Sequence, residues 1–267
     1  NFSHVALLYI DEQGEARFIE AHIEKGVAIA TTEEYLKDKK LRFMVLRLRA
    51  DLPQLIENPI LPHLAAQTAL AESNHRHIPY DFKMNFYDSS AEFCSEVGSY
   101  AFRKNGIRLW QAVSTISSAG TANWLSAFGV ENFVSQMPSD LEYDPQLSIV
   151  AEWYDPETLL KDHLDNAVMD ALYERADQGL KISYNTWLLP VARVIKGYSW
   201  IQNRLGYPGI IPEGMNASQA LKNGSFVNIY QQTWAATHEK VNRFIAEKKY
   251  RPPYWELVNM ARASVPN

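Results

Sequence analysis

The sequence predicts an α+β fold: a small antiparallel sheet at the N-terminus, packed on a helix that carries the chain's one cysteine, and a mostly helical C-terminal extension. Three observations predict it. Residues 1–49 hold short β-rich runs separated by turn residues. Residues 88–106 carry helix start and stop signals around a single apolar face. From Asp155 onward the apolar spacing is that of amphipathic helices. Hydrophobic residues at 46% and charged residues at 21% of 267 fit a globular chain with a real core. A net charge of −5 without a long basic run argues against a nucleic-acid partner. One cysteine excludes an internal disulfide, and no apolar run is long enough to span a bilayer.

Taken in order, residues 2–10 (FSHVALLYI) form the first strand, residues 11–15 (DEQGE) a turn, and residues 16–22 (ARFIEAH) the return strand. Residues 26–30 and 42–49 add further strands of the same small sheet, with a short helix over residues 33–40 between them. His4 interrupts the first strand and Glu20 interrupts its partner. An odd-length loop or a bulge around Gln13-Gly14 puts the two on one face, whereas a tight two-residue turn separates them. The plainer alternative is a half-exposed histidine and a surface glutamate at a sheet edge. Residues 53–77 turn helical after Pro62 and end in the polar SNHRH, and PYDFKMNFYDS leads into the cysteine helix. Tyr80-Asp81 lies in that lead-in, with a side chain in reach of the helix start; the alternative is a turn with a packed aromatic.

The helix over residues 88–106 has Ser89 with Glu92 as a capping-box pattern and Asn105-Gly106 as its stop. Phe93, Val97, Tyr100 and Ala101 share its buried face. Cys94 sits in its first turns, where unpaired N–H groups and the helix dipole favour a thiolate. Gly98 and Ala101 beside it let the helix press against a sheet. The alternative is a buried, inert thiol. Residues 107–153 connect to the extension, with SSAGTANWLSAFG as a loop bordering the cleft. The extension then reads as a helix opening at Pro156, a second helix (WLLPVARVIKGYSWIQNRLG) kinked near Pro190, the loop YPGIIPEGMNASQ, a long helix from Phe226, and a closing helix in RPPYWELVNMARA. Its aromatic stripes read as core. His75 and His77 flank Arg76 without a third ligand, so no metal site is expected. His63, His163 and His238 fall in helical patterns as surface or packing residues.

SHVALLYI, FIEAH with a following GV strand, PYDF, and a helix beginning FCSE occur in that order, followed by MPSDLEYDPQLSIVAEW at residues 137–153. This order resembles the permuted branch of the NlpC-type papain-like cysteine peptidases, and within it the YiiX/YebB-like group of bacterial hydrolases. The resemblance implies a circularly permuted papain-like (NlpC-type) catalytic core over residues 1–153, with residues 154–267 packed on it. It further implies Cys94 as nucleophile, His4 as general base, Glu20 as the residue that orients the histidine, and Tyr80 near the nucleophile. The histidine precedes the cysteine here, the reverse of papain, which is the mark of the permutation. Members of the group also carry a strand and a glycine-aspartate segment ahead of the histidine strand. The chain begins at Asn1 inside what reads as a strand, so a leader or first strand is expected to have been removed or left out.

The residue types suit the chemistry. A thiol near a histidine at a helix start becomes a thiolate–imidazolium pair, and the imidazolium then protonates the leaving amine. A carboxylate on the far ring nitrogen fixes the tautomer. His22 is the chief rival to Glu20 for that task, and Glu24 a weaker one. The Cys94 backbone N–H is the natural oxyanion donor, the Tyr80 hydroxyl a second candidate, and Ser95 is placed with Tyr80 as a substrate-contacting residue. The expected activity is a cysteine hydrolase cleaving an amide bond of peptide, aminoacyl or cell-wall-peptide type, with no cofactor. The alternatives are a thiol acyltransferase or esterase on lipid or other acyl substrates, and a non-catalytic binding module with a retained core. Retention of both Cys94 and His4 favours the enzyme. The resemblance points to the periplasm or cell envelope, and the extension leaves room for a homo-oligomer.

Overall fold

A computed structural model describes residues 2–37 and 40–266. The N-terminal β-rich runs give β1 (Leu7–Ile10), β2 (Ala16–His22) and β3 (Gly26–Thr31), an antiparallel sheet in the order β1-β2-β3. The loop joining β1 and β2 is five residues long, and Asp11 closes it by accepting the N–H groups of Gln13 and Glu15. With an odd loop, Leu7 pairs with Ile19 and Ile10 with Ala16. Side chains of like parity on β1 and β2 therefore share a face.

The first strand is shorter than expected. Phe2 to Ala6 run outside the ladder because Phe2 is tied elsewhere: its N–H donates to the Ser139 hydroxyl (3.0 Å), which donates back to the Phe2 carbonyl (3.1 Å). After β3 come α1 (Thr32–Lys37) and β4 (Arg42–Leu48); the expected helix over 33–40 thus extends partly outside the described residues. β4 does not join the first sheet. It pairs with β7 (Leu147–Tyr154) in a separate ribbon, which skips Val150 at a bulge. The partner strand lies about a hundred residues away, beyond the reach of local patterning.

Between these lie α2 (Pro53–Glu57), α3 (Leu61–His75), α4 (Cys94–Lys104), β5 (Ser114–Thr115), α5 (Ala119–Ala127) and β6 (Val134–Ser135), with a 3₁₀ turn at Pro138–Tyr143. The stretch read as a cleft-side loop is therefore largely α5, and its Trp124 is buried. The extension consists of α6 (Leu159–Asp177), α7 (Leu189–Arg204), α8 (Ala217–Lys248) and α9 (Tyr254–Arg262). Pro156 lies in the turn before α6 instead of opening it, because the Asp155 carbonyl accepts from Thr158 and Leu159. Pro190 sits in the first turn of α7, where its missing N–H costs nothing, so it starts the helix and does not kink it. α8 begins nine residues before Phe226, on a reciprocal cap between Asn216 and Gln219.

Two apolar cores result. One joins Tyr9, Ile19 and Ala21 of the sheet to Ala65, Ala66 and Ala69 of α3, Val97 and Ala101 of α4, and Trp110. The other joins Leu164, Val168 and Leu172 of α6 to Val241 of α8 and Leu257 of α9, and reaches back to Trp124. Small residues on α3 and α4 let those helices and the sheet approach closely, which fixes where the start of α4 lies.

Candidate active site

Cys94 is the first residue of α4, not a residue one turn in. The Ser89–Glu92 cap is not used, because residue 92 is engaged elsewhere: Glu92 N–H donates to the Pro79 carbonyl (3.0 Å), and Asp81 N–H donates to the Glu92 carbonyl (3.2 Å). This bridge clamps the PYDF segment alongside the helix start. Phe93 is extended, and its N–H donates to the Glu96 carboxyl at 2.8 Å. Asn105 and Gly106, the latter at φ +83°, end the helix as the sequence predicts.

The other end of the PYDF segment is fixed to the sheet. Val27 N–H donates to the Ile78 carbonyl at 2.8 Å. Gly26 makes this approach possible: at φ +71°, a Cβ there would lie 2.1 Å from the Ile78 oxygen. The buried Asp81 carboxylate accepts from the N–H groups of Lys83 (2.8 Å) and Asn85 (2.5 Å). That turn sets Met84 and Phe86 against Cys94, in an apolar cluster with Phe93 and Tyr80. Burial, followed by the neighbouring Cys94, raises the Tyr80 hydroxyl above its ordinary pKa, so it stays a donor at all working pH values.

His4 and Glu20 meet. The His4 Nε2–H donates to Glu20 Oε2 at 2.6 Å, and the His22 Nε2–H donates to Glu20 Oε1 at 2.9 Å. One carboxylate thus holds two imidazoles, whose ring centroids lie 6.1 Å apart. Glu20 is buried at 3% exposure between the core residues Ile19 and Ala21, and a buried carboxylate needs such partners. Burial alone would raise its pKa, but the bonds from His22 and His4 outweigh that and hold it at about 2. Burial likewise opposes charge on His4, yet the neighbouring Cys94 and the bond to Glu20 prevail and raise it to about 9. With Nε2 given to Glu20, Nδ1 is the nitrogen left for the sulfur. The His4 side chain keeps 35% of its surface exposed, whereas Cys94 keeps 7%.

Two further carboxyls lie beneath the helix start. Burial pushes Glu92 up to about 7, and burial with the negative neighbours Asp81 and Glu92 pushes Glu96 up to about 9. At neutral pH Glu96 is protonated and its carbonyl oxygen still accepts from Phe93, so it places no negative charge next to the sulfur.

Of the expected site residues, Cys94, His4, Glu20 and Tyr80 are drawn together. Ser95 is fully buried, backbone and side chain alike, and its hydroxyl has no partner among the described residues, so the structure does not place it as the substrate-contacting residue expected from the sequence. Glu24 is exposed between β2 and β3 and bonds to neither histidine. His22 is not an alternative to Glu20 but its second partner. His77 pairs with Glu213 at 2.8 Å, His63 stacks on Tyr9, and His163 and His238 pack on Tyr254 and Trp234. Among the described residues, no group of three His, Cys, Asp or Glu side chains is disposed to hold a metal. Sequence reasoning missed Ser139, which ties down the His4 segment; Asp81, expected with Tyr80 in the lead-in, instead closes the turn over Lys83 and Asn85. The proline-aspartate-leucine run around Ser139 was the available signal.

The sequence model described as "permuted papain-like amidase enzyme, YaeF/YiiX, C92 family" matches residues 1–151. The chain belongs to this family. This makes an enzyme of the papain-like amidase type the class to which the chain is assigned. No curated protein matches it. Among solved structures it is similar to the metalloprotein yiiX from Escherichia coli O157:H7, at 20% identity and a TM-score of 0.43, over 58% of this chain and 84% of that one.

Proposed function

We propose that this amidase-family member is a cysteine hydrolase that cleaves an amide bond through a thioester on Cys94, with residues 1–153 as the catalytic core and residues 154–267 packed on it. Cys94 is the nucleophile, its thiolate favoured by its place at the head of α4. His4 supplies the positive charge beside the sulfur and the proton for the leaving amine. Glu20 orients the ring and supports its charge. The Cys94 backbone N–H and the Tyr80 hydroxyl are the oxyanion donors. Water then attacks the thioester, and the same imidazole takes up the proton. The observation that carries this reading is the 2.6 Å contact of Glu20 with His4 Nε2, in a ring whose charge also answers to Cys94.

The substrate is of peptide, aminoacyl or cell-wall-peptide type. Incubation with cell-wall fragments and with an ester library, followed by mass spectrometry of the peptide containing Cys94, tests the proposal. An acyl adduct on Cys94 from an amide substrate is expected. Adducts from esters alone would make it an esterase or acyltransferase, and none from either set would remove the covalent mechanism.

A further inference from the structure

α7 buries one side, through Ala192 and Ser199, and leaves the other bare. Trp187, just ahead of the helix, and Val191, Val194, Tyr198, Ile201 and Leu205 are all exposed, at alternating spacings of four and three residues. On a helix this spacing gathers them into one stripe. Val194 is 74% exposed and Leu205 68%, so the stripe is not the fringe of a packed core. Contiguous apolar surface of this kind marks an interaction site.

Charge says which partner fits. Residues 178–212 contain Lys181, Arg193, Lys196 and Arg204 and no Asp or Glu, in a chain of net charge −5, and the carboxylate of the adjoining Glu213 is paired with His77 at 2.8 Å. Lys196 is used internally, donating to the Pro212 and Glu213 carbonyls at 2.7 and 2.9 Å. Arg193 and Arg204 make no salt bridge among the described residues. At 100° per residue both fall on the same rim of the stripe, and Arg204 lies over the Trp200 ring at 4.6 Å. We propose that α7 lies on an anionic lipid bilayer, with Val194, Ile201 and Leu205 among the acyl chains and Arg193 and Arg204 at the lipid phosphates. Exposed Trp200, on the arginine side, suits the headgroup boundary, while Trp187 and Tyr198 lie along the stripe itself. The helix rests on the bilayer and does not cross it: no described helix is long and apolar enough to do so. A second copy of the chain fits less well. Pairing α7 with its own copy sets arginines against arginines along a seam where this segment has no carboxylate to offer.

The full chain, mixed with vesicles of phosphatidylcholine alone or with roughly a third phosphatidylglycerol, tests this by co-sedimentation. Binding is expected with the anionic vesicles and weak with the neutral ones. V194D with I201D removes binding. R193Q with R204Q weakens binding to the anionic vesicles roughly 30-fold, about fivefold for each cation, and leaves the neutral ones unchanged. All four side chains face solvent, so far-ultraviolet circular dichroism of each variant is expected to match the parent. No sedimentation of the parent, or equal sedimentation of parent and V194D/I201D, overturns the proposal. So does a dimer in sedimentation equilibrium that V194D/I201D abolishes while vesicles bind nothing, since the face then belongs to a second copy.

Discussion

The two cores of this chain break the inside-apolar, outside-polar rule in opposite ways. The N-terminal one buries ionisable groups: Glu20, Asp81, Glu92, Glu96 and Asp144 are the buried carboxyl residues among those described, and all precede residue 154. The buried polar residues described in the helical extension are Ser199, Thr233 and Thr237, each donating its hydroxyl to the carbonyl four residues back. Its anomaly is on the outside, on α7. Buried ionisable groups cost stability and persist where a site needs shifted pKa values. Bare apolar surface costs solubility and persists where something covers it. The contrast assigns chemistry to one half and contact to the other, and it can be broken experimentally.

The largest effect is expected at the sulfur. Cys94→Ala abolishes amide hydrolysis, and His4→Ala lowers kcat/KM by about 10²–10⁴-fold, both with an intact fold by circular dichroism. Full activity in Cys94→Ala would leave the buried carboxylates without a chemical purpose.

Next in size is a change with no chemistry in it. Leu172 in the second core is fully buried, and Leu172→Ala is expected to lower unfolding free energy by about 2–5 kcal/mol in urea titrations. If the halves divide the work as argued, iodoacetamide labels Cys94 at the parent's rate under native conditions. A changed labelling rate would mean that the extension shapes the site itself.

Much of this was readable in residues 1–106, and the reason is local. The strands of the first sheet pair through short loops, so patterning gave β2 its full extent, and the parity of the β1–β2 loop decided between two stated outcomes for His4 and Glu20. What local patterning could not give came from distant partners. β4 found β7 instead of its neighbours, Ser139 drew Phe2 out of the first strand, and the bridge from Pro79 and Asp81 to Glu92 displaced a valid cap at Ser89. His22 looked like a competitor of Glu20 because a sequence cannot say that a carboxylate has two free oxygens in reach of two rings. In the extension the helices were legible but their faces were not, since an aromatic stripe reads as core whether or not anything lies against it.

A smaller effect separates Glu20 from His22. Glu20→Gln removes the negative charge that helps raise His4 to about 9. The histidine then loses its proton at lower pH, so the alkaline limb of kcat/KM moves down, with a rate loss of roughly 10–100-fold at its optimum. His22→Ala leaves the Glu20–His4 bond in place and is expected to cost less than Glu20→Gln. The reverse ranking would make His22 the orienting residue.

The last effect, read as a slope and not as a rate or a midpoint, is the one most specific to a buried carboxyl. Glu96 is raised from 4.5 to about 9 in the folded chain. Between those values the folded protein holds a proton that the unfolded chain has released. Stability from this group is therefore fully present below pH 4.5 and is lost as pH rises through about 9. Glu96→Gln replaces a neutral acid by a neutral amide that can still accept from Phe93, so it changes little near pH 5. It removes the proton linkage, however, and flattens the fall of unfolding free energy above that pH, by at most on the order of 1 kcal/mol per pH unit. Urea titrations of parent and variant across this range read the difference in slope. Parallel slopes would show that Glu96 ionises normally, and the helix start would then carry a negative charge close to the sulfur it was argued to spare.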